Sequence, residues 1–92
     1  MTTAIVLIKA KTAQVSELAR QITQVHGVSE VFSVAGQYDL VAIVRVRSNE
    51  DLASVVGDSI RQLDGLSHSE TLIAFRAYSK EELDAGFALG LD

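Results

Sequence analysis

Between two apolar runs, Val31–Ala35 and Leu40–Val46, the chain carries Gly36-Gln37-Tyr38-Asp39, a compact set of groups able to do recognition chemistry. Glycine supplies the positive φ or the close backbone approach that a reversal needs. Tyr38 and Asp39 then set a phenol and a carboxylate at the mouth of an apolar strand. A charge in that position is costly unless something cationic or rich in N–H donors meets it. A reversal needs its glycine; it does not need that aspartate. Two readings stand side by side: Asp39 meets such a partner, or it caps its own turn as an Asx motif while Tyr38 fills the hairpin edge.

Other residue types narrow the chemistry. Without cysteine there is no disulfide framework, no thiolate nucleophile and no thiolate metal site. His26 precedes a helix-ending glycine, where it complements the negative end of the helix dipole. His68 has no second His or Cys near it, so no metal site is expected. No Ser-His-Asp set, paired-carboxylate site or phosphate-cradling loop is visible, and no cofactor is expected. The net charge is −4 and the basic residues are scattered, with only Arg45 and Arg47, and Lys9 and Lys11, in alternating pairs. A nucleic-acid surface shows a denser basic stripe with aromatics for stacking, so direct DNA or RNA binding is not expected. The apolar start Ala4–Ile8 is too short for a signal-peptide core, and nothing approaches a membrane span, which makes a cytoplasmic protein the default.

The elements that position these residues follow from periodicity. The 92-residue chain reads as a single domain over residues 1–92. Ala4–Ala10 is β-branched and apolar almost throughout, a first strand. Thr12 is the predicted N-cap of a helix with Val15, Leu18, Ala19, Ile22 and Val25 on one face, stopped by Gly27 at C′. Val28–Ala35 is the second strand and Leu40–Arg47 the third. Ser48 with Asp51 three residues on resembles a capping box. The helix it opens buries Leu52, Val55, Val56, Ile60 and Leu63 and ends at Gly65. Ser69–Ala77 is the fourth strand. The order is β-α-β-β-α-β, and His26-Gly27-Val28-Ser29 is echoed by Asp64-Gly65-Leu66-Ser67. The predicted class is α+β: a ferredoxin-like split βαβ arrangement, an antiparallel sheet with two helices on one face.

The strands predict more than a monomer. A sheet with one wet face alternates apolar and polar residues. Ile5-Val6-Leu7-Ile8 and Leu40-Val41-Ala42-Ile43-Val44 do not alternate. Two helices cover one face, so a second copy is expected on the other, giving an obligate homodimer with the form of a dimeric α+β barrel. Ser79-Lys80-Glu81-Glu82 is a further capping box, followed by Leu83, Phe87 and Leu91 at helical spacing. Gly86 and Gly90 each cost that helix about 1 kcal/mol, so it is expected to dock its stripe on a neighbouring subunit.

With Val34-Ala35-Gly36-Gln37-Tyr38-Asp39 at its central hairpin, the chain resembles the effector-binding (RAM) domain of the Lrp/AsnC, or feast/famine, transcription regulators. Three segments carry the likeness: Val34–Leu40 with the strand to Arg47, the helix Asp51–Leu63 with Asp64-Gly65-Leu66, and Ser69-Glu70-Thr71-Leu72-Ile73. Full-length members place a helix-turn-helix domain first, whereas this chain starts at the first strand and looks like a stand-alone form. The resemblance implies homodimers, octamers or other rings of dimers, an amino-acid effector held between subunits, and a full-length Lrp/AsnC regulator as a partner. Carried over position by position, it puts the effector at Gly36, Gln37, Tyr38 and Asp39, with Ser69, Glu70 and Thr71 as lesser candidates. An α-amino acid needs N–H donors for its carboxylate and a carboxylate or carbonyls for its ammonium, which the hairpin can supply. The function so implied is an amino-acid-sensing regulatory module, not an enzyme. The alternative is a small dimeric α+β-barrel enzyme, monooxygenase- or isomerase-like. It would gather His26, His68, Tyr38 or Asp39 around a closed pocket within one protomer. A purely structural assembly subunit is a third reading.

Overall fold

The computed structural model describes residues 1–80. Four strands, β1 (Thr2–Ala10), β2 (Val28–Ser33), β3 (Leu40–Val46) and β4 (Leu66–Ala74), form one antiparallel sheet in the order β2-β3-β1-β4. Helix α1 (Val15–Thr23) links β1 to β2, and a second helical segment opening as α2 (Asn49–Ala53) links β3 to β4. That is the expected ferredoxin-like α+β arrangement. The tail segment from Glu81 onward, with its predicted helix, lies outside the described residues.

Register assigns each side chain to a face, because the strand period is two. Ala4 pairs with Val44, Val6 with Ala42 and Ile8 with Leu40. All six are fully buried, in one cluster with Leu18 and Ile22 of α1 and with Leu52, Val55 and Ile60 of the second helical segment. The other parity pairs Ile5 with Ile43 and Leu7 with Val41, then Phe32 with Val41 and Leu72 with Ile5. No element among the described residues covers that face. Phe32 remains 48% exposed and Leu72 43% exposed. The apolar strand composition therefore divides into a core on the helix side and an open apolar face opposite. Polar residues bound it: Lys9 opposite His68 towards one end, and Arg45 opposite Thr3 towards the other.

Several element ends differ from expectation. Thr12 does not cap α1: the helix starts from Gln14, no side chain caps it, and Ala13 takes a positive φ of 67° in the preceding turn. Helix α1 also stops earlier, with Gln24 as its C-cap, so Gly27 is not its C′ residue. Gly27 (φ 98°) instead completes a turn closed by Val28 N–H donating to the Val25 carbonyl. Leu63–Leu66 is closed by the same bond, Leu66 N–H on the Leu63 carbonyl, but Gly65 does not take the positive φ of Gly27, so the echo between the two halves repeats the hydrogen bond and not the backbone conformation. Strand β2 ends two residues before Ala35, β3 one before Arg47, and β4 spans Leu66–Ala74 rather than Ser69–Ala77.

Ser48 does cap α2, its Oγ accepting from Asp51 N–H at 3.2 Å. The helix it starts is not uniform. After Ala53 it widens to a π-helix over Ser54–Ser59 and tightens to a 3₁₀ turn over Ile60–Gln62. Val55 and Ile60 are both buried and five residues apart, a separation that one π turn brings into line. Gly57, the weakest helix former of the segment, lies inside the widened turn.

Candidate functional site

The β2–β3 connection is pinned at its base and held from the side. Val34 N–H donates to the Asp39 carbonyl at 3.0 Å, closing a loop of four residues. Inside it Gly36 takes φ 126°, a conformation that L side chains rarely adopt, with open space where a Cβ would stand. Asp39 N–H donates to the Ile8 carbonyl at 2.9 Å, extending the β1–β3 pairing by one rung. The Asp39 side chain reaches the same strand two residues on, this time as acceptor: its Oδ2 accepts from Ala10 N–H at 2.8 Å. A register shift between Lys9 and Ala10 falls at this point, as β-bulges near functional loops do. The Asp39 carboxylate thus meets one N–H donor at the end of β1 rather than capping its own turn.

Tyr38 reaches further. Its hydroxyl donates to Glu70 Oε1 at 3.0 Å, and Glu70 stands on β4 opposite Leu7. Because β1 lies between β3 and β4, this contact crosses the end of β1 along the open face. The hydrogen bond to Glu70, with desolvation and the nearby negative charge adding to it, raises the Tyr38 phenol above its ordinary pKa of 10.0. Lys9 Nζ donates to the Gln37 carbonyl at 3.4 Å from the same side.

The structure therefore brings Gly36, Gln37, Tyr38, Asp39 and Glu70 together. It does not bring Ser69 and Thr71 with them. They alternate with Glu70 and pair with Ile8 and Val6, whose side chains face the helices. The N–H groups of Gly36, Gln37 and Tyr38 donate to no other group among the described residues, and one Asp39 oxygen accepts nothing there. Such a cluster offers N–H donors for a carboxylate, and Asp39 and Glu70 as acceptors for an ammonium. Lys9 and Ala10 are the members that sequence reasoning missed. Their signal is topological: in a β-α-β-β-α-β chain the end of β1 lies beside the start of β3.

Among the described residues no group of His, Cys, Asp and Glu is arranged to hold a metal ion, and no helix is long and apolar enough to cross a membrane. A cavity of about 660 Å³ lies at the far end of β3, against Val46, and contains none of the hairpin residues. His26 lines it; His68, Tyr38 and Asp39 do not.

Comparison with known proteins places this arrangement. Residues 3–83 match the family model for the Lrp/AsnC ligand binding domain. An uncharacterized HTH-type transcriptional regulator of Pyrococcus horikoshii is 35% identical over 65 residues, 71% of this chain and 43% of that protein. The chain spans about half the length of the curated relatives it matches, which are named as transcriptional regulators rather than enzymes. A crystal structure of a Thermus thermophilus protein superposes with a TM-score of 0.82 at 46% identity, covering 87% of this chain and all of that one. A feast or famine regulatory protein from M. tuberculosis, solved in complex with L-methionine, superposes with a TM-score of 0.72 at 24% identity, covering 87% and 54%. Fold, hairpin and family match agree: the chain belongs to the Lrp/AsnC ligand binding domain family.

Proposed function

We propose that this chain is an amino-acid-sensing regulatory module acting in the cytoplasm, and that its effector binds where the Gly36–Asp39 hairpin meets the seam between two subunits. The observation that carries the reading is the Tyr38–Glu70 hydrogen bond, which holds a loop of free N–H groups at the border of an uncovered apolar sheet face. The occupant of that face is a second copy. Ile5, Leu7, Phe32, Val41, Ile43 and Leu72 share that face, and polar residues frame them as they frame a protein interface. The effector acts by binding one assembly state better than another, and a full-length relative able to co-assemble carries the change to transcription.

An amino acid is the first ligand class to test, since the same fold holds L-methionine in the M. tuberculosis protein. A thermal-shift panel of the twenty amino acids tests it: an effector raises the melting temperature by mass action, more so as its concentration rises. The variant for this test is Asp39→Asn, which retains an oxygen for Ala10 N–H and removes the charge that an ammonium needs. Stabilisation by at least one amino acid, lost in Asp39→Asn, supports the site. Indifference to all twenty, or equal binding by Asp39→Asn, removes it.

A further inference from the structure

We infer that the cavity at the far end of β3 is a second ligand site, for a small metabolite carrying an oxyanion. Its volume of about 660 Å³ lies within the ordinary range of metabolite pockets. Arg45, Arg47 and His26 line it, together with the hydroxyl residues Ser54 and Ser59 and a single acid, Asp51. Among the described residues no salt bridge or side-chain hydrogen bond engages Arg45, Arg47 or His26. Arg47 and His26 without a carboxylate partner, beside two hydroxyls, make the chemistry of phosphate or carboxylate recognition; the Arg45 side chain belongs to the open sheet face. Asp51 adds a selective element. It adds an acceptor that favours a ligand with a hydroxyl or amine beside its oxyanion.

The backbone explains why a cavity forms there. Gly27 turns with a positive φ, and Arg45 N–H donates to the Gly27 carbonyl at 2.9 Å, so β3 and the α1–β2 turn meet edge to edge. The opposite wall is the π-helix, which contributes Ser54, Val55 and Ser59. A π turn is a costly irregularity that recurs beside binding sites, and here it sets those two hydroxyl residues five apart on the cavity side. The length of β3, from Leu40 to Val46, separates this cavity from the hairpin by roughly 20 Å at about 3.4 Å per residue. The two sites are therefore separate, and either can fail without the other.

The test is a titration of the ¹⁵N-labelled protein with inorganic phosphate and, separately, succinate, at constant ionic strength set with chloride. Saturable shifts of the Gly27, Ser54, Arg47 and Ser59 amides are expected with at least one probe, and unchanged shifts at Gly36–Asp39. Phosphate alone points to a phosphate ester, succinate alone to a carboxylate; each supports the site. The His26→Gln/Arg47→Gln double variant is expected to weaken binding at least tenfold, while Asp39→Asn leaves it unchanged. His26 and Arg47 are both exposed, and an unchanged amide dispersion verifies that the variant folds. If it does not fold, Arg47→Gln alone, outside the strand, gives the same readout. Linear shifts with neither probe saturating, or a folded variant that binds as well as the parent, overturn the inference.

Discussion

Replacing Asp39 separates its structural duty from its recognition duty. Its Oδ2 accepts from Ala10 N–H at 2.8 Å, a charge-assisted bond between two half-buried groups. Hydrogen bonds to charged partners contribute about 1.5–3 kcal/mol, and partial exposure places this one near the middle, about 2 kcal/mol. Asp39→Ala deletes the acceptor and leaves Ala10 N–H without one at the β1 bulge. For a domain of this size a loss of about 2 kcal/mol lowers the melting temperature by roughly 8–16 °C. Asp39→Asn keeps a neutral acceptor worth about 1 kcal/mol, so its loss is about half as large. The assay is urea unfolding at one fixed protein concentration, with the denaturant slope unchanged between variants so that the midpoint reports stability. An Asp39→Ala protein as stable as its parent refutes the capping role. An order reversed between Ala and Asn refutes it equally.

Three further outcomes follow from local geometry. Gly27→Ala forces a side chain into a positive φ and sets its Cβ 3.0 Å from methyls of Val46 and Val55, so a loss of more than about 2 kcal/mol in urea unfolding is expected. Gly57→Ala meets nothing within 4 Å and replaces a poor helix former, so stability is expected to be unchanged or to rise by up to about 1 kcal/mol. In a Tyr78→Phe background, where Tyr38 is the remaining tyrosine, its ultraviolet titration is expected above pH 10, and Glu70→Gln lowers the midpoint. Since folding raises this pKa, the associated stability is complete below the unfolded value of about 10 and is lost as pH climbs through the folded one. A midpoint indifferent to Glu70→Gln contradicts the Tyr38–Glu70 contact.

The architecture was legible because its signals are repeated along the chain. The doubly apolar strands Ile5–Ile8 and Leu40–Val44 announce a sheet apolar on both faces, one of which the helices cover, and α1 shows its buried stripe at Leu18 and Ile22. Helix ends were less legible. Thr12 has a capping side chain, but the positive φ at Ala13 turns the chain before the helix starts, and sequence carries no mark of that choice. The π turn was hidden because Leu52, Val56 and Ile60 fit an α-helix as well as Val55 and Ile60 fit a wider one. At the hairpin, residue types gave Tyr38 and Asp39 but not their partners. Ala10 contributes only a backbone N–H, which every residue except proline has. Ser69, Glu70 and Thr71 came together from the family resemblance, and strand alternation sets Ser69 and Thr71 on the face opposite Glu70.

Sedimentation velocity at micromolar concentration, with and without the amino acid that most raises the melting temperature, tests the central claim most directly. The account predicts a dimer or larger assembly whose size distribution shifts on adding the amino acid. It also predicts that Leu7→Lys, a charge set on the open face, dissociates the assembly into folded protomers. A well-folded lone protomer in the parent protein, unmoved by any amino acid, contradicts it.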